Sequence, residues 1–530
     1  MTYDYIIIGA GSAGCVLANR LTASGRHKVL VLEAGPKDSN PWIHIPIGYG
    51  KLFAESSVNW MYQSEPEPEL NGRRVFTPRG KVLGGSSSIN GLVHIRGQRE
   101  DFDEWARLGN ASWSFDEVLP YFRKSESYQH GESALHGANG PLNVSDLPDR
   151  HVLCDAFIAG AQEVGIPRND DFNGARQEGA GYYHSSARRG RRVSCAVAYL
   201  HPARQRENLQ VQTEALVTRI VFDGKRAVAV EYEQGGVKQR ARAQREILLC
   251  GGSFNSPQLL QLSGVGPAAL LQRHGIPVVH AAPGVGESLQ EHFYVRTVWK
   301  CTQAITFNDE MRTLLGKAWV GLRYILLRRG PMTVSAGYAG AFARTRTELS
   351  KPDVQLYFIN FSTDKMGTRL HPFSGFTVSM SPLTPESRGH VRIRSASPRE
   401  APAIQYNFMS TENDRRTVID GLKLVNKVTR SSAMKPYVLT EHAPKPSPMT
   451  DNEWLAYARE VGGTVYHPTS TCRMGQDATA VVDDHLRVRG IERLRVVDAS
   501  IMPNVVAGNS NAATVMIAEK GADLILAEAR

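Results

Sequence analysis

Tyr5-Ile6-Ile7-Ile8-Gly9-Ala10-Gly11-Ser12-Ala13-Gly14 reads as a buried strand running straight into a glycine-rich turn, since an apolar run without alternation needs cover on both faces. Val16, Leu17 and Leu21 then supply one apolar helical face, and Lys28-Val29-Leu30-Val31-Leu32 forms a second buried strand ending at Glu33. Strand, turn, helix, strand and acid together make a complete dinucleotide-binding unit. Gly9, Gly11 and Gly14 let the backbone turn tightly and approach a pyrophosphate at the N-terminus of the helix that Ser12 opens. Glu33 can accept ribose hydroxyls and opposes a 2′-phosphate, which leaves NAD and FAD both open. The fold class is α/β.

Downstream, Arg79-Gly80-Lys81-Val82-Leu83-Gly84-Gly85-Ser86-Ser87-Ser88-Ile89-Asn90 has no strand character, and its small residues would let the backbone lie flat against a large ligand. From Asp101 to Tyr128 the pattern is helical, with Trp105, Leu108, Trp113, Val118, Leu119 and Phe122 expected in the core. Leu216–Phe222, Ala227–Glu233 and Val237–Ala243 read as a three-strand meander, and Ile247–Cys250 as a separate buried strand. A helix is expected over Gln258–Leu262. Beyond Cys301 strand-like runs such as Val354–Phe358 and Phe376–Met380 alternate with helical ones such as Arg415–Arg430, as in an inserted sheet covering a substrate.

Near the C-terminal end His467-Pro468 precedes Val497-Asp498-Ala499-Ser500 and Gly508-Asn509-Ser510-Asn511. His467 can exchange a proton near neutral pH, and Pro468 holds it extended. Asn511 is placed to cap the helix starting at Ala512, whose N-terminus would favour an anionic group beside Asn509.

A chain of 530 residues with 42% hydrophobic and 22% charged residues is globular and long enough for two lobes. The net charge of +10 is spread along the chain, and its densest cluster, Arg188-Arg189-Gly190-Arg191-Arg192, reads as solvated surface. Nucleic acid is therefore not expected as a partner, whereas a weak peripheral membrane contact fits the charge. Six scattered cysteines without CxxC spacing indicate neither a disulfide framework nor a zinc site. HExxH is absent, so no catalytic metal is expected. With no secretory signal and no membrane-length apolar run, a cytoplasmic location is expected.

In order along the chain, GAGSAG with Glu33, GKVLGGSSSIN, GSFNSPQLLQLSGVG, PGVGESLQEH, HPTSTCRMG, VVDASIMP and GNSNAATVMIAEK resemble the motifs of the glucose-methanol-choline (GMC) family of FAD-dependent alcohol oxidoreductases. The resemblance spans almost the whole chain. It implies a discontinuous Rossmann-type FAD-binding domain (1–150, 195–300 and 460–530) and an inserted α+β substrate domain of antiparallel sheet and helices (151–194 and 301–459). By the same resemblance Gly9, Gly11 and Gly14, with Ser12, would hold the pyrophosphate, Glu33 the ribose and Val217 the adenine. Asp498, Ala499 and Asn511 would contact the rest of the cofactor, and the flavin ring would lie against Gly84–Asn90, including Ser87, with Arg79 close by. His467 matches the family's base and Asn509 its partner at the substrate oxygen.

Asn90 stands where some members carry a flavin-linking histidine, so the FAD is expected to be dissociable. Tyr338 aligns with a glutamate of choline-acting members, which favours a neutral primary alcohol or polyol over choline. Choline oxidation and a hydroxynitrile lyase-like, non-redox reaction are the alternatives. The electron acceptor would be oxygen or a quinone-type carrier, with Val465 matching a position near the flavin C4a.

Overall fold

The computed structural model describes residues 2–364, 367–444 and 449–529. β1 (Thr2–Ile8), α1 (Ser12–Thr22) and β2 (Val29–Leu32) form the expected unit, with β1 and β2 parallel and Ile8 opposite Leu32. β3 (Leu209–Gln212) adds in parallel beside β2, while β4 (Ala215–Asp223), β5 (Arg226–Gln234) and β6 (Val237–Leu249) form an antiparallel meander. The sheet order is β3-β2-β1-β6-β5-β4.

The two strands expected over Val237–Ala243 and Ile247–Cys250 are one continuous strand, β6. Its first half pairs with β5, and its second half pairs in parallel with β1 on one side and with Leu494–Val496 on the other. Of Val237–Glu246 only Ala241 and Ala243 are buried, but Ile247–Leu249 are all buried. That change of pattern within one strand is what divides it in the sequence.

α2 (Gly252–Leu262) begins six residues earlier than expected and carries Pro257 inside it. A proline there leaves the carbonyl four residues back without its helical donor. The hydroxyl of Thr471 donates to that carbonyl, Ser253 O, at 2.7 Å, so the segment next to His467 is tied to α2 where the helix cannot satisfy itself. Leu108, expected in the core, follows a helix (Arg99–Arg107) and is 45% exposed.

A second sheet is built from β7 (Phe293–Cys301), β8 (Ala339–Ala343), β9 (Val354–Ile359) and β10 (Gly375–Pro382), in the order β7-β10-β9-β8, with Val438–Ala443 and Gly179–Tyr182 on its edges. The pairings are antiparallel, and β7 enters this sheet ahead of residue 301. A helix over Leu314–Leu327 (α3) lies between β7 and β8, and Glu412–Thr429 (α4) buries Val418, Leu422 and Val425. The last helix, α5 (Asn511–Glu528), is buried on nearly all sides and packs beside α1. Arg20 of α1 makes two hydrogen bonds to the buried Glu519 carboxylate, at 2.8 and 2.7 Å, and Tyr199 donates to the same group.

Candidate active site

A cavity of about 320 Å³ runs from the ends of β1, β2 and β4 to the inner face of the second sheet. At the first end Gly9 has φ +95°, and a Cβ there would meet Cys250 O at 2.6 Å. The side of Gly11 is open, with nothing within 4 Å of an added Cβ. α1 begins there with no side-chain cap and no acid in its first turn, so its amides are left for a ligand. Glu33 lines the cavity and accepts from the Ala10 and Gly35 amides, at 2.8 and 2.9 Å, while burial pushes its carboxyl up to about 7. α5 also opens onto the cavity without a side-chain cap. Two uncapped helix N-termini facing one cavity fit a polyanionic dinucleotide.

At the other end stands His467, aimed by an unusual backbone. Tyr466 has φ +74° and its carbonyl accepts from Arg79 Nη2 at 2.6 Å. One carboxylate oxygen of the buried Glu291 accepts the backbone N–H groups of His467 (2.8 Å) and His292 (2.9 Å). Burial, offset by Arg79, raises the Glu291 carboxyl to about 7.

Hydrogen-bond logic fixes the imidazole protons. His292 Nε2 lies 3.0 Å from the Leu383 carbonyl oxygen, which can only accept, so Nε2 carries a proton. Burial holds His292 down to about 4, so it is neutral and its Nδ1 is a bare acceptor. His467 Nδ1, 3.1 Å away, must then donate to it. Burial first, then His292 and Arg79, keep His467 uncharged as well, which leaves its Nε2 as a lone pair. Asn509 Nδ2 donates to that nitrogen at 3.1 Å, and the Asn509 carbonyl faces Gln355 Nε2. A neutral base with its lone pair beside an amide donor can take a proton from a hydroxyl and hold the resulting oxygen.

Of the residues expected at the site, Gly9, Gly11, Ser12, Glu33, Arg79, Asn90, Val217, His467, Asp498, Ala499, Asn509 and Asn511 line the cavity. Gly14, Gly84 and Ser87 do not. Gly14 packs α1 onto the turn, where a Cβ would meet Gly9 O at 1.9 Å, and a Cβ at Gly84 would strike Ser88 Oγ. Ser87 is buried behind the wall, donating to Gly84 O and accepting from Cys195 N. Asn511 is the first helical residue rather than the cap, and its side-chain oxygen instead accepts from Ser12 Oγ at 2.7 Å. Asn90 accepts from Arg192, which is buried and not part of the solvated basic turn. Tyr338 is buried away from the cavity and donates to Asp149 O, so it says nothing about substrate. Sequence reading missed Glu291, His292, Tyr357 and Arg296. Adjacent titratable residues in Glu291-His292, just after a tight turn, were the available signal.

An oxidoreductase that binds a dinucleotide and presents a neutral imidazole to its substrate is the class that this fold and site define. A family model described as GMC oxidoreductase matches residues 3–294, and a second with the same description matches residues 385–518. The chain is 42% identical to an alcohol dehydrogenase (acceptor) of Pseudomonas putida over 99% of its length and 96% of that protein. It is 42% identical to the mitochondrial choline dehydrogenase of Homo sapiens, over 99% of this chain and 89% of that one. Among solved structures, pyridoxine 4-oxidase from Mesorbium loti superposes with a TM-score of 0.89 at 30% identity, covering 98% of both chains. The chain belongs to the GMC oxidoreductase family, and is an FAD-dependent enzyme that oxidises CH–OH donors.

Proposed function

We propose that this chain oxidises a neutral primary alcohol or polyol, with His467 Nε2 as the base and Asn509 holding the substrate oxygen. The observation that carries this reading is the His292–His467–Asn509 chain, which makes His467 Nε2 the accepting nitrogen at the cavity wall, where Asn509 donates to it until a substrate hydroxyl takes that place. FAD, bound without a covalent link, would supply the hydride acceptor. Gly9, Gly11 and Ser12 would hold its pyrophosphate, Glu33 its ribose, and the N-terminus of α5 its pyrimidine end. The first sheet would form the cofactor unit and the second, with β7, the substrate unit.

Choline is the second reading, favoured by the names of relatives such as the human dehydrogenase. The cavity's charge speaks against it. Its charged lining residues, among those described, are Glu33, Asp498, Arg79 and Arg296, and the last two are the ones at the substrate end. Arg296, on β7 opposite Ser379, donates to the Thr363 carbonyl, and its charge would repel a quaternary ammonium. Anaerobic mixing with primary alcohols, polyols and choline, followed by flavin absorbance, tests both readings. A neutral alcohol should bleach the flavin faster than choline, and His467→Ala should keep FAD yet slow bleaching about 100-fold or more. Unchanged bleaching in that variant would remove His467 from its role.

A further inference from the structure

Helix α3, Leu-Leu-Gly-Lys-Ala-Trp-Val-Gly-Leu-Arg-Tyr-Ile-Leu-Leu, is apolar enough for a core, yet of its large side chains only Val320 and Tyr324 are buried. Leu314 and Leu315 are 83% and 84% exposed, and Trp319, Leu322, Ile325 and Leu326 are exposed with them. At about 100° per residue these six fall on one arc of about 140°, opposite the face that Val320 and Tyr324 pack inward, while the exposed Leu327 at the C-terminal end lies off it. Arg323 stands at one margin of the arc and Lys317 is displaced toward the other. Among the described residues no helix is long and apolar enough to cross a membrane, and at 14 residues α3 is too short to do so.

The surround is basic. Leu314–Leu327 contains no acid, and Arg312, Arg328 and Arg329 flank it. The tight turn carrying Arg188, Arg189 and Arg191 abuts its C-terminal end, where a Cβ on Gly190 would meet Arg328 O at 2.4 Å. Asp149 offsets part of this charge through Arg323 and Arg329, and Glu310 also lies near Arg323. We propose that α3 is a monotopic docking face that lies in the surface of an anionic lipid bilayer, its leucines and Trp319 among the acyl chains and its basic margin at the headgroups. A second copy of the chain fits less well, because two-fold pairing of this face would set one cationic margin against the other. Inward, Val320 belongs to the same hydrophobic cluster as Ile359, which lines the cavity. This inference rests on the surface alone and is independent of the reaction proposed above.

The test is flotation of the FAD-loaded protein with vesicles of phosphatidylcholine alone or with phosphatidylglycerol added. Binding is expected with the anionic vesicles, weakened as salt shortens the Debye length to about 3 Å near 1 M. Brominated acyl chains should quench tryptophan fluorescence in the wild type but not in Trp319→Phe. The combined variant Leu315→Ser, Trp319→Ser, Leu326→Ser should lose binding about tenfold or more while flavin reduction by alcohol is unchanged. Failure of the wild type to float, or flotation that survives the triple variant, overturns the proposal. So does a wild-type dimer that the triple variant converts to monomer without any vesicle binding, which would make the face a contact between copies.

Discussion

His292 does not line the cavity, yet it decides which nitrogen of His467 is basic. Without its acceptor, His467 can turn its proton toward the cavity and lose the lone pair a base requires. We expect His292→Leu to slow flavin reduction about 10- to 100-fold, the range of one unmade buried hydrogen bond, with FAD still bound. His292→Gln should recover most of the rate, because an amide can donate to Leu383 O and accept from His467; stopped-flow absorbance separates the two. Glu291 adds a pH dependence. Its carboxyl titrates at about 7 and, when charged, eases the positive charge that His467 takes on with the proton. As pH falls through about 7 the reduction rate of the wild type should drop, whereas Glu291→Gln should be slower and lack that limb.

Among the elements, the turn between β1 and α1 separates two duties that a glycine motif runs together. Gly14 faces the Gly9 carbonyl with no room for a methyl, whereas Gly11 faces the cavity. Gly14→Ala should therefore cost about 3 kcal/mol or more in the FAD-free protein. Gly11→Ala should stay within about 0.5 kcal/mol of wild type and instead lose FAD affinity, as denaturant melts and flavin titration would show. The βαβ unit was legible because its signals are local: an apolar run, three glycines, and an acid one strand later. The part played by His292 was not, because it meets His467 across 175 residues. Pattern reading also misplaced the start of α2, since a proline discourages a helix unless some distant group takes up the freed carbonyl, as Thr471 does. The sequence of α3 resembles a buried helix, and only the fold reveals that it is left outside.

At the scale of the molecule, the cavity is walled by both sheets, so a cofactor held there would bind only the folded protein and touch both sheets. Ligand that binds only the native state adds stability by mass action, about 2.7 kcal/mol at a hundredfold excess over Kd. Stripping FAD should lower the melting temperature and adding it back should restore it; no shift would mean that FAD does not bind the native state in preference to the unfolded one. All six cysteines are buried and unpaired, so a thiol reagent should react only as the chain unfolds. A further consequence concerns biosynthesis. The seam between α1 and α5 is closed by contacts such as Ser12 to Asn511 and Arg20 to Glu519, each joining residues 499 positions apart. On a ribosome, β1 and α1 emerge long before α5 exists, with one flank of α1 and an edge of β6 still bare. The nascent chain must shelter that apolar surface until translation reaches α5, and capture of a flavin in this cavity would be a late step of maturation rather than a template for its start.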